Sequence, residues 1–367
     1  MSNGVLITSD LSRKLPTKKF EGGSTISIDI PRDSVFKHLS FMISGSVEVT
    51  ISSGSPVVDS TATMNRLVNY IDVVANGSTT IKNITPWALH MQNLMAKTQF
   101  GVRRSTSTAS PENIGDVDEN GVFNIGATGN FTNVVESVLI SFENVLCGKG
   151  RMSTLWDTRG LASAELRIST AQLKNVLEDG NNGVLVFDDV NLNFEISTIE
   201  TQNVPANALF SIWKQTTKTV AFSAQTNDFL VDINRGNYLQ GIMFEVRDGS
   251  VGLPLSNKAL TNIKLILNGT SYLKNETFIE LQNKNITQYG LNSPFVSNAS
   301  LLDGVCYLDL LTPTGGERLG TLNTAQNVQA PRVDQVQCSI STSADASYTK
   351  PVSIRITTNE IIKPIAV

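Results

Sequence analysis

The chain has 367 residues, of which 40% are hydrophobic and 17% charged, with a formal net charge of -4. That length allows two domains of ordinary size, each with its own core, and the charged fraction falls below the roughly 25% of typical globular proteins. Slight acidity excludes an overall attraction to nucleic acid or anionic membranes, and no apolar run reaches the roughly 18 residues of a membrane-spanning helix.

Residues 1–19 read as an N-terminal arm without a hydrophobic leader. The arm carries Arg13, Lys14, Lys18 and Lys19 against Asp10 alone, a cluster suited to contact with lipid headgroups or packaged DNA by screened attraction, or else a solvated tail. Next, Ile26, Ile28 and Ile30 alternate with polar residues, as in a strand with one buried face. Leu39, Phe41 and Ile43 repeat the pattern, and Ile71, Val73 and Ala75 lead into Asn76-Gly77, a dipeptide suited to the positive φ of a hairpin turn. Thr85-Pro86 is an N-cap and first-turn pair, so a short helix is predicted over 86–97, carrying Trp87, His90 and Leu94.

Residues 103–133 contain Ser-Thr-Ser-Thr, Pro111, an acidic stretch and several glycines, and read as a long loop projecting from the surface. Within it Asp116, Asp118, Asn120 and Gly121 copy the first half of a calcium loop, but the twelfth position is Ala127 rather than a bidentate Glu, so a solvated acidic turn is expected. Strands follow at Val138-Ile140 and at Val190, Leu192 and Phe194.

The second half repeats the first in order. Phe229, Val231 and Ile233 match Ile26, Ile28 and Ile30, and Ile242, Phe244 and Val246 match Leu39, Phe41 and Ile43, all displaced by 203 residues. Ile263, Leu265 and Leu267 before Asn268-Gly269 match the first hairpin at 192, a register that also pairs Lys82 with Lys274, Thr85 with Thr277 and Asn93 with Asn285. Val305 and Tyr307 are placed opposite Val138 and Ile140 at 167, with Arg318, Thr321 and Leu322 opposite Arg151, Thr154 and Leu155. Val352, Ile354 and Ile356 are placed opposite Val190, Leu192 and Phe194 at 162. The displacement only falls, so the matches are collinear and the chain is a divergent duplication.

The predicted fold is all-β: two tandem eight-stranded jelly-roll β-sandwiches with short flanking helices. The expected boundaries are an arm at 1–19, a first sandwich at 20–205, a linker at 206–213 containing Trp213, and a second sandwich at 214–367.

Little here suggests chemistry. His38 and His90 lack metal-ligand spacing and read as structural, and no nucleophile elbow, phosphate-binding loop or dinucleotide fingerprint occurs. Neither catalysis, cofactor nor metal is implied. Cys147, Cys306 and Cys338 are widely spaced and read as reduced thiols of a protein made in a cytoplasm. Seven Asn-x-Ser/Thr sequons, at Asn76, Asn83, Asn130, Asn268, Asn275, Asn285 and Asn298, read as turn and strand composition.

The tandem units across residues 20–367 resemble the double jelly-roll major capsid proteins of tailless double-stranded DNA viruses, especially tectivirus-like, membrane-containing phages. A local likeness runs from Arg66-Leu67-Val68 through Asn76-Gly77 to Pro86-Trp87-Ala88-Leu89-His90-Met91-Gln92-Asn93, although the long N-terminal helix of that family has no counterpart. The resemblance implies a homotrimer whose six similar blocks fill a hexagonal position in an icosahedral shell, located in the virion. Its implied partners are further copies, penton and minor capsid proteins, and internal lipid or DNA at the arm. The competing readings are a two-sandwich carbohydrate-binding or adhesive protein, which would show clustered exposed aromatics, and a minor virion spike, which would be present in few copies.

Overall fold

The structure, a computed structural model, describes residues 10–51, 67–96, 103–107, 129–146, 154–172, 185–249, 255–289, 302, 304–310, 313–314, 317–318, 322–324 and 334–363. The first half contributes β1 (Asp10–Lys14), β2 (Lys18–Lys19), β3 (Thr25–Asp29), β4 (Val35–Ile51), β5 (Val68–Ala75), β6 (Thr79–Ile84), α1 (Pro86–Met95), β7 (Arg103–Ser107), β8 (Gly129–Ser141), β9 (Trp156–Asp157), β10 (Ala164–Thr170) and β11 (Leu185–Thr201). The second contributes β12 (Ile212–Phe222), β13 (Phe229–Asp232), β14 (Tyr238–Arg247), β15 (Leu260–Leu267), β16 (Ser271–Thr277), α2 (Phe278–Tyr289), β17 (Val305–Asp309), β18 (Pro313–Thr314), β19 (Glu317–Arg318), β20 (Leu322–Asn323), β21 (Val336–Thr342) and β22 (Val352–Ile362).

Two facing sheets build the first sandwich. One runs β1-β11-β4-β8-β7, with β2 also on β11; the other runs β3-β10-β5-β6. The second sandwich repeats both orders, as β12-β22-β14-β17 and β13-β21-β15-β16. Each is a jelly roll, in which consecutive strands alternate between the sheets and long crossings join them. Alternation supplies the cores: Ile28, Phe41, Ile43, Ile71, Val73 and Phe194 fill the first, and Ile242, Phe244, Ile263, Leu265, Cys338 and Ile354 the second.

The turns agree with their sequences. Asn76 and Asn268 have φ of 52° and 51°, followed by Gly77 and Gly269 at 74° and 71°, the paired positive φ of a type I′ hairpin. The α1 cap is as expected: Thr85 Oγ1 accepts from Ala88 N at 3.2 Å, and Pro86 opens the helix. The helix ends at Met95, two residues before the predicted end.

Four readings need correction. Residues 10–19 are not a free arm, because β1 and β2 pair with β11 across Asp10–Lys14 and Lys18–Lys19; polar edge strands lack the apolar alternation that marked the others. Trp213, assigned to the linker at 206–213, lies in β12 and is buried. The predicted loop 103–133 is strand at both ends, since β7 pairs with β8, while residues 108–128, including the calcium-like motif, lie outside the described residues.

The repeat register also shifts. Phe41 faces Val138 on β8, and its counterpart Phe244 faces Cys306 on β17, so Val138 corresponds to Cys306 and not Val305. All of Val305–Leu308 is buried, which removes the in-out alternation that would have revealed the slip. Likewise Phe36 and Leu239 face Glu200 and Glu360, placing β22 two residues from the predicted register and on the same face.

Candidate functional site

The two sandwiches join edge to edge. β12 of the second lies parallel to β6 of the first, at Gln215 and Lys82, so their sheets form one nine-stranded sheet. Lys82 sits at the centre of this junction and is fully buried. Its Nζ donates to Gln215 Oε1 at 2.6 Å and Trp213 O at 3.2 Å, and lies 4.3 Å from the Trp213 ring centroid. Burial pushes the Lys82 pKa well below its ordinary value, because a low dielectric disfavours the ammonium form.

Hydrogen bonds extend from this centre. Gln215 Nε2 donates to Asn359 Oδ1 at 2.7 Å. Thr217 N donates to Asn83 Oδ1 at 3.3 Å and Thr217 Oγ1 to Asn83 O at 2.7 Å. Thr85 Oγ1 donates to Glu245 Oε2 at 2.8 Å, and Arg355 holds the other carboxylate oxygen at 3.0 Å. Gln240 Nε2 donates to Asn144 Oδ1 at 2.9 Å. Around these, α1 brings Trp87 and Met91 into one apolar cluster with Met243, Val305 and Tyr307 of the second sandwich. The two halves are therefore fastened by a buried surface that is apolar under α1 and polar along β6–β12.

The predicted interaction residues fall into two pairs. Arg13 donates to Glu200 Oε2 at 3.0 Å and Asp33 Oδ2 at 3.4 Å, and Lys14 to Glu195 Oε2 at 2.5 Å. Lys14, then Ser44, holds the Glu195 carboxyl below its usual value. Lys18 and Lys19 are exposed and have no ion-pair partner among the described residues. Arg13 also borders a polar cleft of about 390 Å³ with Leu11, Asp33, Arg159 and Glu200. Arg159 is anchored by Asp157 at 2.7 Å and donates to the carbonyls of Val204 and Pro205 at 3.1 and 3.4 Å, pinning the connection between the sandwiches.

His38 Nδ1 lies 2.9 Å from Ser141 Oγ, and its Nε2 3.3 Å from Glu143. His90 stacks on Trp87 at 5.3 Å. Cys306 and Cys338 are buried free thiols, the second with its pKa pushed up to about 12 by burial; Cys147 lies outside the described residues. Among the described residues no three His, Cys, Asp or Glu side chains converge as a metal site. The repeat pairs Lys82 with Lys274 as one more equivalent position, and nothing in the local sequence marks it as buried.

No family model and no curated protein matches the sequence. Solved structures do match over nearly the whole chain. The major capsid protein of Sulfolobus turreted icosahedral virus superposes with a TM-score of 0.64 at 14% identity, covering 97% of each chain. The major capsid protein of Bacteriophage PM2 gives 0.54 at 11%, covering 98% of this chain and 100% of that one. This chain has their double jelly-roll fold. The Faustovirus major capsid protein adds a third case, with a TM-score of 0.59 at 10% identity over 99% and 92%.

Proposed function

We propose that this chain is the major capsid protein of a tailless icosahedral virus, a structural protein without catalysis that assembles as a homotrimer and then as a shell. The observation that carries the reading is the single chain holding two sandwiches of the same strand order, joined through one sheet. Three such chains supply six similar blocks around a threefold axis, the shape that fills a hexagonal lattice position. Full-length likeness to three capsid proteins supports the reading.

The virion is the corresponding location, with synthesis in the host cytoplasm and with penton and minor capsid proteins as further partners. Contact with internal lipid or packaged DNA would fall to Lys18 and Lys19, since Arg13 and Lys14 are neutralised within the chain. Light scattering over a range of concentrations tests the central claim. A stable particle of three times the 39.7 kDa chain, or closed shells, is expected; a monomer at every concentration overturns it. Copy number in purified particles separates a shell protein from a spike.

A further inference from the structure

The junction between the sandwiches has a counterpart that is left open. β6 and β12 are the sheet-edge strands that meet inside the chain. Their equivalents in the duplicated fold are β16 and β1, and among the described residues each ends its sheet with a neighbour on one side only. The equivalence is set by the ladders. Val73 faces Lys82 and Leu265 faces Lys274, with the same break in register following in both hairpins. Leu11 faces Glu200 while Lys214 faces Glu360, and Phe36 and Leu239 face that same pair of glutamates. Asp10, Ser12 and Lys14 therefore correspond to Trp213, Gln215 and Thr217, the three residues of β12 that hold Lys82 and Asn83.

The helices show the same asymmetry. On α1, Trp87, Ala88, Met91, Gln92 and Met95 are all buried. At the equivalent places on α2, Ile279, Glu280, Asn283, Lys284 and Thr287 are exposed. Lys82 is fully buried, whereas the Lys274 side chain is 38% exposed.

We infer that β16 and α2 of one chain dock against the β1 edge of a second copy, repeating between chains the β6–β12 junction found within each. The inference rests on the trimer reading and adds the surfaces that would form it. Charge is compatible with it: Lys274 would face Asp10 and Ser12 of the next copy, where Lys82 faces Trp213 O and Gln215; the half-exposed Asp10 carboxylate pairs with Lys37 at 2.7 Å and Lys274 lies 4.0 Å from Glu276, so the contact would extend two ion pairs that already exist. The contact is head to tail, so it closes into a ring of three chains if each junction turns the sheet by a sixth of a revolution.

The test is a disulfide across the inferred register. Gln215 and Lys82 are directly opposed across the internal junction, so Ser12→Cys and Lys274→Cys in one chain would bring two thiols within bridging distance between copies. With Cys147→Ser as background, oxidation is expected to give covalent dimers and trimers and nothing larger, with neither single variant linking as a ladder. As a second measurement, Lys274→Glu is expected to weaken trimer formation about tenfold or more, and Asp10→Lys added to it to restore assembly, with Lys37→Glu included so that the new lysine keeps an intrachain partner. A trimer by light scattering that neither cross-links nor responds to the charge exchange overturns the docking surface and leaves the trimer standing. A monomer in the unmodified protein overturns the trimer reading itself.

Discussion

Replacing Lys82 by methionine asks whether the junction holds a neutral amine. A neutral amine has two N–H donors, and two acceptors are in place: Gln215 Oε1 at 2.6 Å and Trp213 O at 3.2 Å. Methionine keeps the length and nearly the volume of the side chain, so the cavity is small, but both donors go. At about 1 kcal/mol for each buried hydrogen bond the loss is about 2 kcal/mol, less whatever the wild type loses by desolvating the amine. Alanine would add a cavity and cost about 3–5 kcal/mol. The pH dependence separates this account from simple packing. In the unfolded chain a lysine keeps its proton up to a pH of about 10.4, whereas folded Lys82 releases it well below that. Between those two values the unfolded state binds more protons, so wild-type stability rises with pH through the window. The methionine variant lacks that rise, and the cost of Lys82→Met should grow as the pH rises from neutrality to the ordinary lysine range of about 10.4. Urea midpoints of both proteins at both ends of this range measure it; midpoints suffice because a two-domain chain need not unfold in two states. A cost that is constant or falls with pH would refute the neutral amine.

Other consequences follow from particular contacts. Gly45 has φ of 140°, and an added Cβ would lie 1.9 Å from Asn191 O, so Gly45→Ala should lower stability by about 3 kcal/mol or more; an unchanged thermal midpoint would contradict the geometry. Asn268→Ala removes a positive-φ turn residue whose Oδ1 accepts from Asp334 N at 2.7 Å, and a loss of about 1–2 kcal/mol by thermal unfolding is expected. Cys306 and Cys338 are buried, and both thiols have raised pKa values. In a Cys147→Ser background they should therefore resist thiol reagents at pH 8 until the protein is denatured, and labelling of the native protein within seconds would count against that burial. Arg159→Ala frees the carbonyls of Val204 and Pro205, so limited proteolysis should cut faster between the sandwiches, while cleavage at wild-type rate would show the pin to be dispensable.

The strands that sequence disclosed best are those with one wet face. Ile26, Ile28 and Ile30 alternate with exposed partners, and Val231 takes the place of Ile28 in the matching strand, as the repeat requires, although Phe229 at its start is exposed. β17 is displaced by one residue from its expected register because both of its faces are buried, Cys306 and Leu308 in the second core and Val305 and Tyr307 in the apolar cluster that also holds residues of α1. β1 and β2 were missed for the opposite reason: as edge strands with exposed residues they show no apolar rhythm. The junction itself was invisible. Lys82-Asn83 and Lys274-Asn275 are the same dipeptide, yet one lysine is buried against Gln215 and the other exposed, a difference set by residues more than a hundred positions away.

That difference accounts for how the two halves diverged. A junction within one chain forms as the chain folds, so its helix can be as apolar as a core; α1 buries Trp87, Met91 and Met95. A junction between chains must first meet water on separate monomers, where a comparable exposed patch would invite indiscriminate association. Its helix should then carry polar residues that tolerate both states, and α2 has Glu280, Asn283, Lys284 and Thr287 at the corresponding positions beside the exposed Ile279. Making α2 resemble α1, by Glu280→Ala and Asn283→Met together, should therefore strengthen association and also produce aggregates at low ionic strength. Improved trimerisation without aggregation would mean that the polar residues do not guard against misassembly, and no change in either would mean that this face of α2 lies outside the contact.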